Sequence, residues 1–177
     1  MNVIKCVYYG GQVSSDTALN KGASTRDFRT VIAGSDGYVA NSIATPAGFG
    51  APQTLGNVAI NAPQYDCNGN PTYMGVKIFT TGAFDIGLCA AACTATSNYN
   101  LLNPPATGVP QLCQFYNTFI LYKNLKAVGQ YCAMYSETWP RSFATNVGQY
   151  NGNDHYTLGY SCTCYNSRIL ALMLDHC

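Results

Sequence analysis

Charge is scarce in this chain. Nine basic and eight acidic side chains among 177 residues make 10% charged, against about 25% in ordinary globular domains. A net charge of +1 with no basic run leaves no electrostatic footprint for nucleic acid, and that class of partner is excluded. Long apolar runs are missing as well: no window approaches the roughly 18 residues a membrane helix needs. Histidine occurs twice, as His155 and His176, and neither stands beside a cysteine in a recognised catalytic signature. A thiol nucleophile needs a depressed pKa and a nearby imidazole, so cysteine catalysis is not expected. There is no Gly-x-Ser-x-Gly, no His-Glu-x-x-His and no phosphate-binding glycine loop. An N-glycosylation sequon is also lacking, since Asn70 is followed by Pro71. No secretory leader is visible, because Lys5 interrupts an apolar stretch that is too short; we expect a native signal upstream that this chain does not carry.

What the chain does have is cysteine and tyrosine: nine Cys and 14 Tyr, beside one Trp. Cysteine at that density points to an oxidising compartment, where disulfides persist. The odd count leaves at least one thiol free or paired with another chain. Cys89 and Cys93 are spaced i, i+4 within Leu88-Cys-Ala-Ala-Ala-Cys, a run of good helix formers, so both sulfurs fall on one helical face. Cys113 and Cys132 lie in two segments rich in Tyr, Phe, Ile and Leu that read as neighbouring strands. A helix tied to two adjacent strands makes a small α+β module stapled by sulfur.

Organisation follows from turn chemistry. Residues 1–65 are rich in Gly, Ser, Ala and Thr, with short β-like runs at Thr30-Val-Ile-Ala and Asn57-Val-Ala-Ile, and read as an irregular extension. Residues 66–165 carry the module. Asp66-Cys-Asn-Gly-Asn-Pro is a turn, followed by a strand from Thr72. Asp85 is placed to cap a helix of about three turns ending near Asn98, before the Asn103-Pro-Pro loop. Leu112–Lys123 and Val128–Glu137 form a hairpin about Asn124-Leu-Lys-Ala, and a last strand begins at His155. We expect Phe115, Phe119 and Leu121 to fill the core, Tyr116 and Tyr122 to face solvent, and Tyr131 and Tyr135 to share a face. Residues 166–177 are an apolar tail, either a packed helix or non-native sequence.

Candidate chemistry is sparse. Cys162-x-Cys164 with His176-Cys177 supplies zinc-ligand types, yet the spacing matches no common zinc motif, and we expect the two strand sulfurs on opposite faces; no metal or cofactor is assigned. Asp154, His155 and Glu137 have the side chains of a polysaccharide hydrolase, although solvated loop residues are the plainer reading of all three. The best ligand-binding candidates are Trp139, Tyr150 and Tyr156 with Asn151, Asn153, Asp154 and His155 in the adjoining loop. Flat aromatic rings stack on sugars and also dominate protein interfaces, so glycan and protein partners both stay open.

Phe84-Asp-Ile-Gly-Leu-Cys-Ala-Ala-Ala-Cys, then Cys113-Gln-Phe-Tyr-Asn-Thr-Phe, then Gln130-Tyr-Cys-Ala-Met-Tyr resembles the PAN/apple module. Asp66-Cys-Asn-Gly-Asn-Pro-Thr-Tyr, Glu137-Thr-Trp, Phe143-Ala-Thr-Asn and Gly148-Gln-Tyr-Asn-Gly-Asn-Asp-His-Tyr-Thr are similar to stretches of secreted and cell-wall proteins of filamentous fungi. The likeness covers residues 65–165. It implies an antiparallel sheet cradling one helix on a secreted or wall-associated, non-catalytic binding protein. It also implies the bridges Cys93–Cys113 and Cys89–Cys132, and a further one from Cys67 to Cys162 or Cys164. The partners of Cys6 and Cys177 stay open, and the odd cysteine count allows an intermolecular disulfide through an unpaired one.

Overall fold

A computed structural model of the chain describes residues 43–167, with Val7 and residues 19–20, 22–24, 26–27 and 29–32. The apolar tail from Arg168, with His176 and Cys177, lies outside the described residues, as does Cys6. The chain divides into two units, Met1–Ile43 and Ala44–Cys177. In the first, β1 (Gly22–Ser24) pairs antiparallel with β2 (Arg29–Val31), Ala23 opposite Thr30.

The second unit is α+β. Among the described residues its strands are β3 (Gln53–Gly56), β4 (Tyr73–Phe79), β5 (Phe115–Lys123), β6 (Lys126–Tyr135), β7 (Gln149–Asn151) and β8 (Asp154–Tyr165), and the α-helix α1 (Ile86–Leu102) lies between β4 and β5. The sheet runs β3-β8-β5-β6-β4, every pairing antiparallel, and β7 takes the end of β8 that β3 leaves open. The sheet thus draws in residues that composition assigns to the extension. The strand there is Gln53–Gly56, and Asn57-Val-Ala-Ile contributes only an isolated bridge, Ala59 to Asn146.

α1 starts where the sequence places it. The Asp85 carboxylate accepts from Gly87 N at 2.7 Å, meeting an N–H that the first turn leaves without a partner. The helix runs one turn past Asn98 and stops at Asn103, whose side-chain amide donates to Tyr99 O and which precedes Pro104. Its inward stripe is Ile86, Cys89, Ala90 and Cys93, and this changes to polar contacts in the second half. Ser97 Oγ accepts from Cys113 N at 2.8 Å, and Asn100 Nδ2 donates to Gln111 O at 2.8 Å. Two disulfides fix the helix: Cys89 to Cys132 in β6, and Cys93 to Cys113 just ahead of β5.

Both faces of the sheet are covered. Beneath α1 lie Tyr116, Cys132, Met134, Cys162 and Cys164; on the other face Phe115 and Tyr135 pack with Leu55 and Ile60. Tyr116 is therefore not solvent-facing. It is fully buried, and its hydroxyl donates to Ile86 O at 3.2 Å. Period-two patterning separates inside from outside only where one face is wet, and here neither is along the first four residues of β5. Cys162 and Cys164 likewise share one face rather than opposing each other, since residues i and i+2 of a strand point the same way.

Buried side-chain amides join the layers. Asn117, on the face away from α1, accepts from Ile60 N at 2.9 Å and donates to Ser161 Oγ and Cys162 O at 3.0 and 2.9 Å. Gln130, on the helix side, accepts from Asp85 N at 3.0 Å and donates to Asp85 O at 2.7 Å and Thr118 Oγ1 at 2.9 Å. One carboxamide so holds both backbone groups of the helix cap.

Candidate functional site

Six of the residues singled out in the sequence come together where two hairpin tips meet. The β5–β6 turn is Asn124-Leu125, at φ +49° and +68°, a left-handed pair that suits a two-residue connection. The β7–β8 turn is Gly152-Asn153, with Gly152 at φ +60°. β7 approaches β8 closely through Gly148, at φ +93°, where a Cβ would stand 2.2 Å from Tyr156 O. Asn124 then welds the two tips: its Nδ2 donates to Asp154 Oδ1 at 2.9 Å, its Oδ1 accepts from His155 N at 2.8 Å, and its backbone N–H donates to His155 O at 2.8 Å.

On this frame Tyr150 and His155 lie ring on ring, centroids 4.2 Å apart and 6° from parallel, with Tyr150 72% exposed. Lys123 Nζ sits 2.7 Å from Asp154 Oδ2 and 5.9 Å above the Tyr156 ring. The hydrogen bond to Lys123, then that to Asn124, holds the Asp154 carboxyl below its ordinary value, while the same Lys123–Asp154 contact raises the Lys123 ammonium. The tip presents stacked rings beside a neutralised ion pair, with Asn151 and Asn153 exposed alongside.

Trp139 does not join it. β6 carries its Lys126 end at the tip and its Tyr135 end roughly 30 Å away at about 3.3 Å per residue, and Trp139 follows that far end. There its ring packs on Phe143 at a centroid distance of 4.9 Å, with Nε1 buried and unpartnered among the described residues. Glu137 is at the same far end, so Glu137 and Asp154 are not brought together.

The end bridge implied by the resemblance is not formed. Cys162 and Cys164 carry free, buried thiols, whereas Cys67 is in a disulfide with neither of them. Burial, reinforced by neighbouring Cys164, pushes the Cys162 thiol up to about 12, and burial raises Cys164 too. Such thiols are poor nucleophiles and are not placed to link to another chain. Among the described residues no group of three or more His, Cys, Asp or Glu is positioned to hold a metal, and no helix is long and apolar enough to cross a membrane.

Another concave feature was passed over in the sequence. Pro63-Gln-Tyr65 and Pro71-Thr-Tyr73 repeat a Pro-x-Tyr pattern on the two arms flanking the Asp66–Asn70 turn, and that repeat was the signal. The arms bridge at Tyr65 and Pro71 and enclose an open cleft of about 360 Å³. Its floor is Tyr135, whose ring meets Tyr73 at 5.7 Å and whose hydroxyl donates to Ile60 O at 3.5 Å. Buried Thr72 fastens the arms together, with its Oγ1 donating to Pro63 O and its N–H to Gln64 O at 2.9 Å.

Comparison with protein-family models, with curated proteins and with solved structures returns no match for this chain.

Proposed function

We propose that the chain is a non-catalytic binding and structural module of PAN/apple-like type, secreted and working at a fungal cell surface or wall. It recognises glycan or extracellular protein through the welded hairpin tips. The observation that carries this reading is the parallel Tyr150–His155 pair, held exposed by the three hydrogen bonds of Asn124. A rigid, exposed aromatic surface loses little conformational entropy on binding, which favours recognition. The two disulfides support an oxidising, extracellular setting.

The competing reading, a secreted polysaccharide hydrolase built on Asp154, His155 and Glu137, is poorly served by the geometry. Paired glycosidase carboxylates stand about 5–10 Å apart, whereas Asp154 and Glu137 lie at opposite ends of β6. Asp154 is further committed to Lys123, with its pKa lowered, the wrong direction for a general acid. Pull-down of the oxidised protein on wall polysaccharides and on secreted proteins tests the proposal. Retention that falls in Tyr150→Ala supports it; glycan turnover that vanishes in His155→Ala would end it.

A further inference from the structure

We propose that the cleft between the Pro63–Tyr65 and Pro71–Tyr73 arms is a binding site for a neutral oligosaccharide. The inference goes beyond the reading above, because the cleft lies at the far end of β6 from the hairpin tips and uses none of their residues.

Three features set the ligand chemistry. The first is exposed ring area: Tyr65 is 59% and Tyr73 47% exposed although both border a concave surface. Pyranose rings present flat C–H faces that stack on such rings. The second is the polar complement. The carboxamides of Asn61 and Gln64 and the phenols of Tyr65 and Tyr73 make no hydrogen bond among the described residues. Each is both donor and acceptor, as is every sugar hydroxyl. The third is charge, of which the lining has none. A sulfated, phosphorylated or carboxylated ligand would be desolvated there without a counter-charge. Asp66, next to Tyr65, is already occupied: its carboxylate accepts from Asn68 N, Asn70 N and Asn70 Nδ2 at 2.8, 2.7 and 2.9 Å.

A proline-rich peptide is the natural rival for an aromatic groove. Proline carries no backbone N–H, so such a chain would leave the Asn61 and Gln64 carboxamide oxygens facing few donors, whereas a polyol supplies them. The cleft is also built in advance. Thr72 ties its arms, and Asn117 pins Ile60 in its wall to the sheet centre. Its volume of about 360 Å³ lies within the roughly 300–1,000 Å³ of small-ligand sites.

The test is an NMR and calorimetric titration of the full chain. The probes are neutral glucan, mannan and chitin oligosaccharides, with a sulfated oligosaccharide and a proline-rich peptide for contrast. At least one neutral oligosaccharide is expected to shift the Tyr65 and Tyr73 ring signals saturably. Tyr65→Ala is expected to weaken that binding about tenfold, as loss of an aromatic anchor does, while Tyr65→Phe stays within about threefold. Tyr65 is exposed, so neither variant threatens the fold. Tyr150→Ala is expected to leave the Tyr65 and Tyr73 shifts unchanged whatever it removes at the tips, which separates the cleft from the tip surface. The proposal is overturned if no neutral oligosaccharide moves those two ring signals. It is equally overturned if only the peptide or the sulfated sugar does so, or if Tyr150→Ala rather than Tyr65→Ala removes the binding.

Discussion

Asn117 and Gln130 are the residues on which the packing of the second unit turns, and neither stands out in the sequence. Each is a buried neutral amide that bonds backbone outside the sheet, at Ile60 or Asp85, and a neighbouring strand of its own sheet as well. Asn117→Ala strips the partners from Ile60 N and Cys162 O together. It is expected to cost about 3 kcal/mol in urea unfolding, with an exposed amide such as Asn153→Ala close to neutral. Tyr116 was misread for a related reason: alternation along β5 is genuine, but both of its faces are covered. Titration gives a second residue-scale expectation. The Cys162 thiol, raised by burial from an ordinary value near 9 to about 12, loses its proton first in the unfolded chain. Burial also raises the Tyr135 phenol, from 10 to about 12. Stability is therefore full below pH 9 and declines as pH climbs toward 12. Thermal melts across that range should show the decline, and Cys162→Ala should reduce its slope; a flat profile would contradict the assignment.

At the level of elements, the legible parts were the local ones. An Asp cap before a Cys-containing alanine run, and an Asn turn between two aromatic segments, are set by contacts within a few residues, and α1 and the β5–β6 hairpin stand where they were expected. The β3 strand was not legible, because Gln53–Gly56 is short, mostly exposed, and a strand only through its pairing with β8 over 100 residues later. The Tyr-lined cleft was missed for the same reason, its floor being Tyr135, about 60 residues beyond its arms. The two bridges differ in what they should contribute. Loops of 20 and 43 residues correspond to about 3 and about 4 kcal/mol on the chain-entropy account. Replacing Cys89 and Cys132 by Ala is accordingly expected to lower the midpoint of thermal unfolding more than replacing Cys93 and Cys113. The reverse order would mean that native contacts, not loop closure, decide.

Taken whole, the second unit is a sheet sealed on one face by a covalently held helix and on the other by the segments around residues 55–62 and 139–146. The tip pair Tyr150–His155 and the cleft rings Tyr65 and Tyr73 lie at opposite ends of β6. All of it rests on the helix being fixed to β6 and to the start of β5 through sulfur. Peptide mapping of the oxidised protein by mass spectrometry, with alkylation before and after unfolding, tests this most directly. The expected result is linked Cys89–Cys132 and Cys93–Cys113 peptides, with Cys162 and Cys164 alkylated only once the chain is unfolded. Crossed bridges, Cys89 to Cys113 and Cys93 to Cys132, or a link from Cys67 to Cys162 or Cys164, would contradict it.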